Sequence, residues 1–252
     1  MALYSRFEII GHRGAKGYAP ENTVPSFLKA LELGATMVEF DLRFTADREI
    51  VVIHDETVNR TTDGQGRVSD FSYQELRRLD AGAWFAEEYS GARIPLFEEV
   101  LDLIHGRAAA LVEIKAAPDW TEQNIALAVE KIFEHDMAEQ VEIISFDHSI
   151  VRNFKKVAPQ LKTGILYIGA PVEPWLDALI ARAEVIHPCP AGGIQVQSHE
   201  IARAHAHQVL VGATTQSETE MARLITGGVD GICSDYPDLI REAWKRLTLD
   251  HG

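Results

Sequence analysis

The residues best suited to chemistry in this 252-residue sequence are two histidines, three carboxylates and two basic side chains, all near the ends of predicted strands. Imidazole titrates near neutral pH, which makes the two histidines candidates for a general acid and a general base. Carboxylate oxygens suit hard divalent cations, and arginine and lysine supply the positive charge that a bound phosphate needs. The set, which indicates metal-assisted chemistry on a phosphate group, is His12, Arg13, Glu39, Asp41, His54, Glu113 and Lys115.

The spacing of the carboxylates predicts that they lie close together. Glu39 and Asp41 are two residues apart on one predicted strand, so both side chains point to the same face of it. Glu113 and Lys115 share a face of another strand for the same reason. Three carboxylates that meet at one point repel one another unless a cation neutralises them, and a hard divalent cation is the simplest solution. Such an ion would polarise a phosphoryl oxygen or activate a nucleophile.

Each of these residues has a plainer interpretation when it is taken alone. A Glu-x-Asp pair on a strand is more often charge that faces solvent, and a histidine beside a glycine is more often part of a turn or of the core. The functional interpretation depends on the coincidence of all seven at the same end of consecutive strands. His187 also ends a predicted strand, but it lacks these neighbours, and a structural role is favoured for it.

Short apolar segments that alternate with longer amphipathic ones predict the elements that position these residues. Eight strand–helix pairs in 252 residues favour a (β/α)₈ TIM barrel, in which the active site lies at the carboxyl ends of the strands. A doubly wound open sheet is the alternative, but it predicts a glycine-rich dinucleotide turn that the sequence lacks. The predicted strands are Glu8–Gly11, Met37–Leu42, Leu111–Lys115, Val141–Phe146, Thr163–Ile168, Val185–Pro188, Val209–Ala213 and Gly231–Ser234. The predicted helices are Val24–Leu33, Leu96–Ile104, Thr121–His135, Ile150–Val157, Pro174–Ala183, His199–His207, Glu218–Thr226 and Pro237–Leu247.

One strand-like segment, Ile50–His54, breaks the alternation. It follows Leu42 after about seven residues, whereas a parallel crossover usually needs a dozen or more, so the pattern predicts an antiparallel hairpin. Its turn would lie at Thr45–Arg48, and the return strand would carry His54 back toward Glu39 and Asp41. The polar stretch Asp55–Pro95 that follows is too long for a simple loop and predicts a small subdomain with a helix near Tyr73–Leu79.

The composition limits the partners. The formal net charge is −14, which argues against a general nucleic-acid binder and against stable association with anionic membranes. A small-molecule ligand remains, and an anionic one would need local cations or a metal. The two cysteines, Cys189 and Cys233, lie in apolar strand-like stretches and are expected to be buried, reduced thiols. No apolar leader segment is evident in Met1–Phe7, so a cytoplasmic location is predicted.

The sequence resembles the glycerophosphodiester phosphodiesterase family over nearly its whole length. Each short segment alone is a weak signal, but together they stand in the family's order, which is highly specific. The segments are Gly11–Gly14, Pro20–Thr23, Glu39–Asp41, His54–Glu56 with Asn59–Thr62, Glu113–Lys115, Ser145–Phe146, and Gly228–Gly231 running to Asp235–Pro237.

The resemblance implies one TIM-barrel domain over residues 1–252, with a family-specific insertion at about 55–95. It implies hydrolysis of glycerophosphodiesters to sn-glycerol 3-phosphate and an alcohol. By position, the carboxylates would bind Mg²⁺ or Ca²⁺, the histidines would act as the acid/base pair, and the basic residues would hold the phosphate. The nucleophile implied by the family is the neighbouring glycerol hydroxyl, and the sequence leaves direct attack by water open. The implied metal ligands are Glu39, Asp41 and Glu113, the implied acid/base pair is His12 and His54, and the implied phosphate-binding residues are Arg13 and Lys115.

The sequence departs from the family on the seventh barrel strand. The family commonly has an aromatic residue just before a threonine there, near the substrate, whereas this sequence has Ala213 before Thr214. The departure predicts a wider pocket that tolerates a bulkier or different group.

The sequence leaves two other functions open, and both are less favoured. A related barrel phospholipase would act on intact phospholipid, but the sequence shows no basic amphipathic helix. Its one candidate membrane segment, Trp84-Phe85, lies beside Glu87 and Glu88 and is expected to pack inward. A non-catalytic phosphate-binding barrel is disfavoured because such a protein is expected to lose at least one of the residues named above.

Overall fold

The strands form at the short apolar runs of the sequence, and amphipathic helices separate most of them. The structure is a computed structural model, and it describes residues 3–4, 7–190 and 196–249. The strands are β1 (Glu8–Gly11), β2 (Met37–Phe44), β3 (Ile50–Val52), β4 (Ala109–Ile114), β5 (Val141–Ser145), β6 (Lys162–Ile168), β7 (Val185–Cys189), β8 (Leu210–Thr214) and β9 (Gly231–Ser234). The helices are α1 (Val24–Glu32), α2 (Tyr73–Leu76), α3 (Phe97–Ile104), α4 (Glu122–Glu134), α5 (His148–Val157), α6 (Pro174–Ala181), α7 (Ser198–Ala206), α8 (Glu218–Thr226) and α9 (Pro237–Leu249).

Eight of the strands close into a parallel barrel. Strand β1 pairs in parallel with β2 on one side and with β9 on the other, which closes the sheet on itself. The (β/α)₈ prediction is therefore confirmed, and the open doubly wound alternative is wrong. The carboxyl ends of all eight strands meet at one mouth of such a barrel.

The alternation of side chains along each strand divides the core into two layers. On β2, Val38 and Phe40 point outward and pack under the helices, where the Phe40 and Phe27 rings lie 5.8 Å apart between centroids. Met37 on the same strand belongs to the apolar cluster that fills the barrel interior. Because the side chains alternate, Glu39 and Asp41 follow Met37 on the inward face.

The predicted hairpin is present, and it is short. β3 pairs antiparallel with β2, with Leu42 opposite Val52 and Phe44 opposite Ile50. The strand ends at Val52, two residues before the predicted end, although the Ile53 N–H still donates to the Asp41 carbonyl oxygen. His54 therefore follows directly after the last main-chain hydrogen bond between this segment and β2.

Residues 55–95 contain a small apolar cluster of their own. Val58, Val68 and Leu76 are buried there together with Val51 and Ile53 of the hairpin. Helix α2 ends at Leu76 rather than Leu79. The N–H groups of residues 78 and 79 donate to the carbonyl oxygen three residues earlier in the chain, whereas an α-helix requires the one four residues earlier.

Two local expectations had different outcomes. Both cysteines are free thiols, as expected, with Cys233 buried and Cys189 partly buried. The prediction that Trp84 packs inward is wrong, because its side chain is 39% exposed, although its indole N–H donates to the Ala81 carbonyl oxygen. Within the described ranges, no helix has both the length and the apolar character needed to cross a bilayer.

His187 lies in the middle of the barrel interior. Its Nε2 lies 2.8 Å from Glu142 Oε1 on β5, and both residues are almost fully buried. Gly164 on β6, the strand between them, leaves the space for this pair, since a Cβ there would overlap the Glu142 carboxylate. The pair accounts for His187 as a partnered interior residue, in line with the structural role that was favoured for it.

Candidate active site at the barrel mouth

The three predicted metal ligands converge on the inward face of two adjacent strands. Asp41 on β2 lies opposite Glu113 on β4 in the parallel register, and Glu39 lies one inward position below Asp41. One carboxylate oxygen from each residue lies within 4.8 Å of the other two. Glu39 and Asp41 are 3% and 0% exposed, so their charges are largely shielded from solvent. The structure thus brings the predicted ligand set together.

Two basic side chains only partly neutralise this cluster. Lys115 Nζ lies 2.7 Å from Asp41 Oδ1 and 2.5 Å from Glu113 Oε1, and Arg13 Nε lies 3.5 Å from Asp41 Oδ2. Burial alone would raise the pKa of Asp41, but Lys115 and Arg13 outweigh it and hold that pKa well below its usual range. Burial and the carboxylates of Asp41 and Glu113 raise the pKa of Glu39 well above normal. Negative charge at Glu39 therefore lacks full compensation from the protein.

The donor set fits a hard divalent cation. Every candidate ligand atom is a carboxylate oxygen, which is the chemistry that Mg²⁺ and Ca²⁺ prefer. Asp41 Oδ1 is buried and, despite its short distance to Lys115, accepts no hydrogen bond of good geometry. A cation among these oxygens would satisfy that atom and relieve the repulsion that, together with burial, raises the pKa of Glu39.

His12 follows directly after β1 and is oriented by a carboxylate. Its Nδ1 lies 2.7 Å from Oδ1 of Asp235, which follows directly after β9, the strand that pairs with β1. Hydrogen bonding and charge from His12 and Lys16 hold the pKa of Asp235 low against the effect of burial. An ionised carboxylate only accepts, so Nδ1 carries the proton, and Nε2 is left 4.0 Å from Glu39 Oε2. Burial lowers the pKa of His12 despite the bond to Asp235, which favours the neutral ring.

His54 has the same arrangement on the other side of the cluster. Its Nδ1 donates to Asp55 Oδ1 over 2.7 Å, and Asp55 is held in turn by Arg60 through bonds of 2.7 and 3.1 Å. The main-chain oxygen of His54 accepts a 2.9 Å hydrogen bond from Arg43 Nε. Burial, with Lys115 and Arg13 adding to it, lowers the pKa of this ring as well. Each imidazole is therefore fixed through Nδ1, which leaves Nε2 for chemistry.

Arg13 is held in place from several directions. It adopts a left-handed backbone conformation with φ of 51°, which costs energy for a non-glycine residue and aims its N–H at Glu39 Oε2, 2.7 Å away. Its guanidinium donates to Glu21 Oε1 over 2.7 Å. Burial alone would raise the pKa of Glu21, but Arg60 and Arg13 lower it to about 2. The Glu21 carboxylate thus ties Arg13 to the insertion.

Several residues that support the site had no role assigned from the sequence. Asn22 donates from Nδ2 to Asp41 Oδ2 over 2.7 Å, and Arg60 binds both oxygens of Glu21. A signal for them was present, because they all lie in the segments that carry the family resemblance. These supporting residues are Glu21, Asn22, Asp55, Arg60 and Asp235.

The expectation that Ala213 widens the pocket is wrong. The neighbouring Gly212 faces the interior, since a Cβ there would overlap the His187 ring. Alternation then turns Ala213 outward, where it is buried in the cluster that contains Val211 and Met221. A substitution at this position would change the packing under the helices rather than the mouth.

Comparison with known proteins finds one family that matches nearly the whole chain. Residues 12–239 match the model of the glycerophosphoryl diester phosphodiesterase family. A glycerophosphodiester phosphodiesterase from Caldanaerobacter subterraneus subsp. tengcongensis is 38% identical over 249 residues, covering 92% of this chain and 95% of the relative. One from Bacillus subtilis is 31% identical, covering 95% and 87%.

Solved structures agree with these matches. A phosphodiesterase from Oleispira antarctica, solved in complex with the product sn-glycerol-3-phosphate, superposes with a TM-score of 0.86 at 29% identity, covering 94% of this chain and 96% of the other. A glycerophosphodiester phosphodiesterase from Agrobacterium tumefaciens superposes with a TM-score of 0.80 at 27% identity, covering 94% and 99%.

Proposed function

Since this chain belongs to the glycerophosphoryl diester phosphodiesterase family, we propose how the residues of its barrel mouth carry out the family reaction. The chain is a phosphoric diester hydrolase, and its reaction is the metal-dependent hydrolysis of a glycerophosphodiester to sn-glycerol 3-phosphate and an alcohol. Its substrate is accordingly a small molecule.

Glu39, Asp41 and Glu113 are proposed to hold one divalent cation, Mg²⁺ or Ca²⁺. When bound, the ion would polarise a phosphoryl oxygen and so make the phosphorus more electrophilic. The three residues supply oxygen ligands of the kind both ions prefer, and their mutual repulsion supports the assignment.

Arg13 and Lys115 are proposed to bind the phosphate. A lysine ammonium has three donors; Lys115 donates one to Glu113 and lies within ion-pair distance of Asp41, which leaves donor capacity for a phosphate oxygen. Arg13 is 13% exposed at its side chain, so its charge acts in a poorly solvated place where it is worth more. Both cations would offset the negative charge that develops on the phosphoryl oxygens.

His12 and His54 are proposed to move the protons. The neutral ring of one histidine takes a proton on Nε2 from the attacking hydroxyl or water, and the other histidine, as the imidazolium, gives its Nε2 proton to the oxygen of the departing alcohol. The observation that carries this proposal is the matched pair of bonds, His12 Nδ1 to Asp235 and His54 Nδ1 to Asp55, both 2.7 Å long. Such a carboxylate fixes the tautomer and the orientation of the ring, and it stabilises the imidazolium when it forms.

Residues 1–252 are proposed to work as one domain in the cytoplasm. The segment 55–95 supports the first point, because its Asp55 and Arg60 reach the site through His54 and Glu21. A non-catalytic barrel is disfavoured, because all seven residues with assigned roles are present.

A coupled assay that follows release of glycerol 3-phosphate tests the function. The purified chain is expected to hydrolyse members of a panel of glycerophosphodiesters, to lose turnover in excess EDTA, and to recover it when Mg²⁺ or Ca²⁺ is returned. Full turnover in protein that has been rigorously stripped of metal would contradict the role of the three carboxylates. Absence of hydrolysis for the whole panel, with metal present, would contradict the activity itself.

A further inference from the structure

A cavity of about 250 Å³ opens beside the catalytic cluster. Three parts of the chain line it: the end of β2, residues 56 and 67–69 of the insertion, and the loop between β4 and α4. Lys115, whose Nζ contacts two of the three carboxylates, belongs to its wall, so the cavity adjoins the catalytic mouth. Its size suits a small polar group rather than a lipid chain.

Arg43 places a positive charge in this cavity. On β2 it stands two residues after Asp41, so it shares the inward face that carries Glu39 and Asp41. Its Nε donates to the His54 carbonyl oxygen. Neither terminal nitrogen of its guanidinium has a hydrogen-bond partner in the described part of the chain, and no carboxylate there lies within 4.0 Å of it.

The other charged side chains that line the cavity form ion pairs or lie at its rim. Arg67 and Glu56 form an ion pair with each other. Lys115 is bound to Asp41 and Glu113. Asp119 is exposed near the end of the loop that leads to α4. Among the described residues of this wall, the half-buried Arg43 therefore differs in that no ion pair engages its charge and both of its terminal nitrogens are unpaired.

We propose that this cavity is the subsite for the departing alcohol and that Arg43 binds an anionic group on that alcohol. A guanidinium pairs with a carboxylate or a phosphate through two parallel N–H donors, and Arg43 keeps its terminal nitrogens free for such a pair. The inference rests on the proposed function, because it places the phosphate of the diester at the site of Arg13 and Lys115 and the departing alcohol in the neighbouring cavity. It makes Arg43 a specificity residue for alcohols that carry negative charge.

Two substrates that differ by one carboxylate test the proposal. Glycerophosphoserine carries the anionic group, and glycerophosphoethanolamine lacks it but is otherwise matched. We expect kcat/KM of the wild type to be about tenfold higher for the serine diester than for the ethanolamine diester, because one charge-assisted hydrogen-bonded contact typically has an effect of that size. Arg43→Gln should remove this preference, and Arg43→Lys should keep part of it.

The ratio of the two kcat/KM values separates specificity from positioning. If Arg43 only holds the His54 carbonyl, Arg43→Gln lowers both values by the same factor, and the proposal is overturned. A wild type that shows no preference for the serine diester overturns it as well. Arg78→Gln, in an exposed turn where the side chain makes no hydrogen bond within the described ranges, removes the same charge and should leave both values unchanged. Failure of the wild type to hydrolyse either diester, with metal present, would instead refute the proposed function.

Discussion

His12→Ala lowers kcat by at least about 10²-fold while the protein remains folded, the loss that is typical when a general acid or base is removed. The ring is fixed by Asp235 through Nδ1, and its Nε2 points toward the carboxylate cluster. An alanine methyl group cannot take or give a proton, so the step that needs this proton slows. Steady-state release of glycerol 3-phosphate measures the loss, and urea unfolding checks that the variant is still folded.

His105→Ala is the matched control for this substitution. His105 is exposed after α3, before β4, and thus at the opposite end of the barrel, where its side chain makes no hydrogen bond or ion pair within the described residues. Its removal is expected to leave kcat unchanged. Turnover of His12→Ala at the wild-type rate would take His12 out of the mechanism.

Glu113→Gln raises the Mg²⁺ or Ca²⁺ concentration needed for half-maximal activity by about tenfold or more. Glutamine keeps an oxygen but loses the charge, and the number of charged ligands sets the affinity for such cations. Even residues that only support metal ligands typically change affinity by about 10- to 100-fold, so a direct ligand should matter at least as much. Titration of metal-stripped protein with each cation, with activity as the readout, gives the constant.

Glu139→Gln makes the same chemical change at the amino-terminal end of β5, on the far side of the barrel. Glu139 is exposed there, so the metal concentration that gives half-maximal activity of Glu139→Gln should equal that of the wild type. An unshifted activation curve for Glu113→Gln would remove this residue from the ligand set. A lower maximal rate with an unshifted curve would instead give Glu113 a role through its contact with Lys115.

The sequence predicted the parts of this site that depend on local geometry. The i, i+2 spacing of Glu39 and Asp41 was enough to place both on one face, because a strand alternates strictly. The shortness of the link from Leu42 to Ile50 was enough to require a hairpin, because a parallel crossover needs more chain. Both inferences use the reach and periodicity of the backbone alone, and the antiparallel pairing of β2 with β3 and the parallel pairing of β2 with β4 agree with them.

The contacts between distant residues could not be obtained this way. His12 and Asp235 are 223 residues apart, and only closure of the barrel brings β1 and β9 together. The outward direction of Ala213 depends on the phase of β8, which is set by the need for space around His187 at Gly212. The bonds of Arg60 to Glu21 and Asp55 depend on how the insertion folds over the mouth. Tertiary packing decides these features, and no local pattern encodes them.

A crystal structure of the protein grown with Mn²⁺, with anomalous scattering recorded, is the most direct test of the metal site. Mn²⁺ accepts the same oxygen ligands as Mg²⁺ and can be located unambiguously. We expect one anomalous peak within about 2.5 Å of oxygens from Glu39, Asp41 and Glu113. A peak bound elsewhere, or no peak at these oxygens in protein that turns over with Mn²⁺, would contradict the assignment.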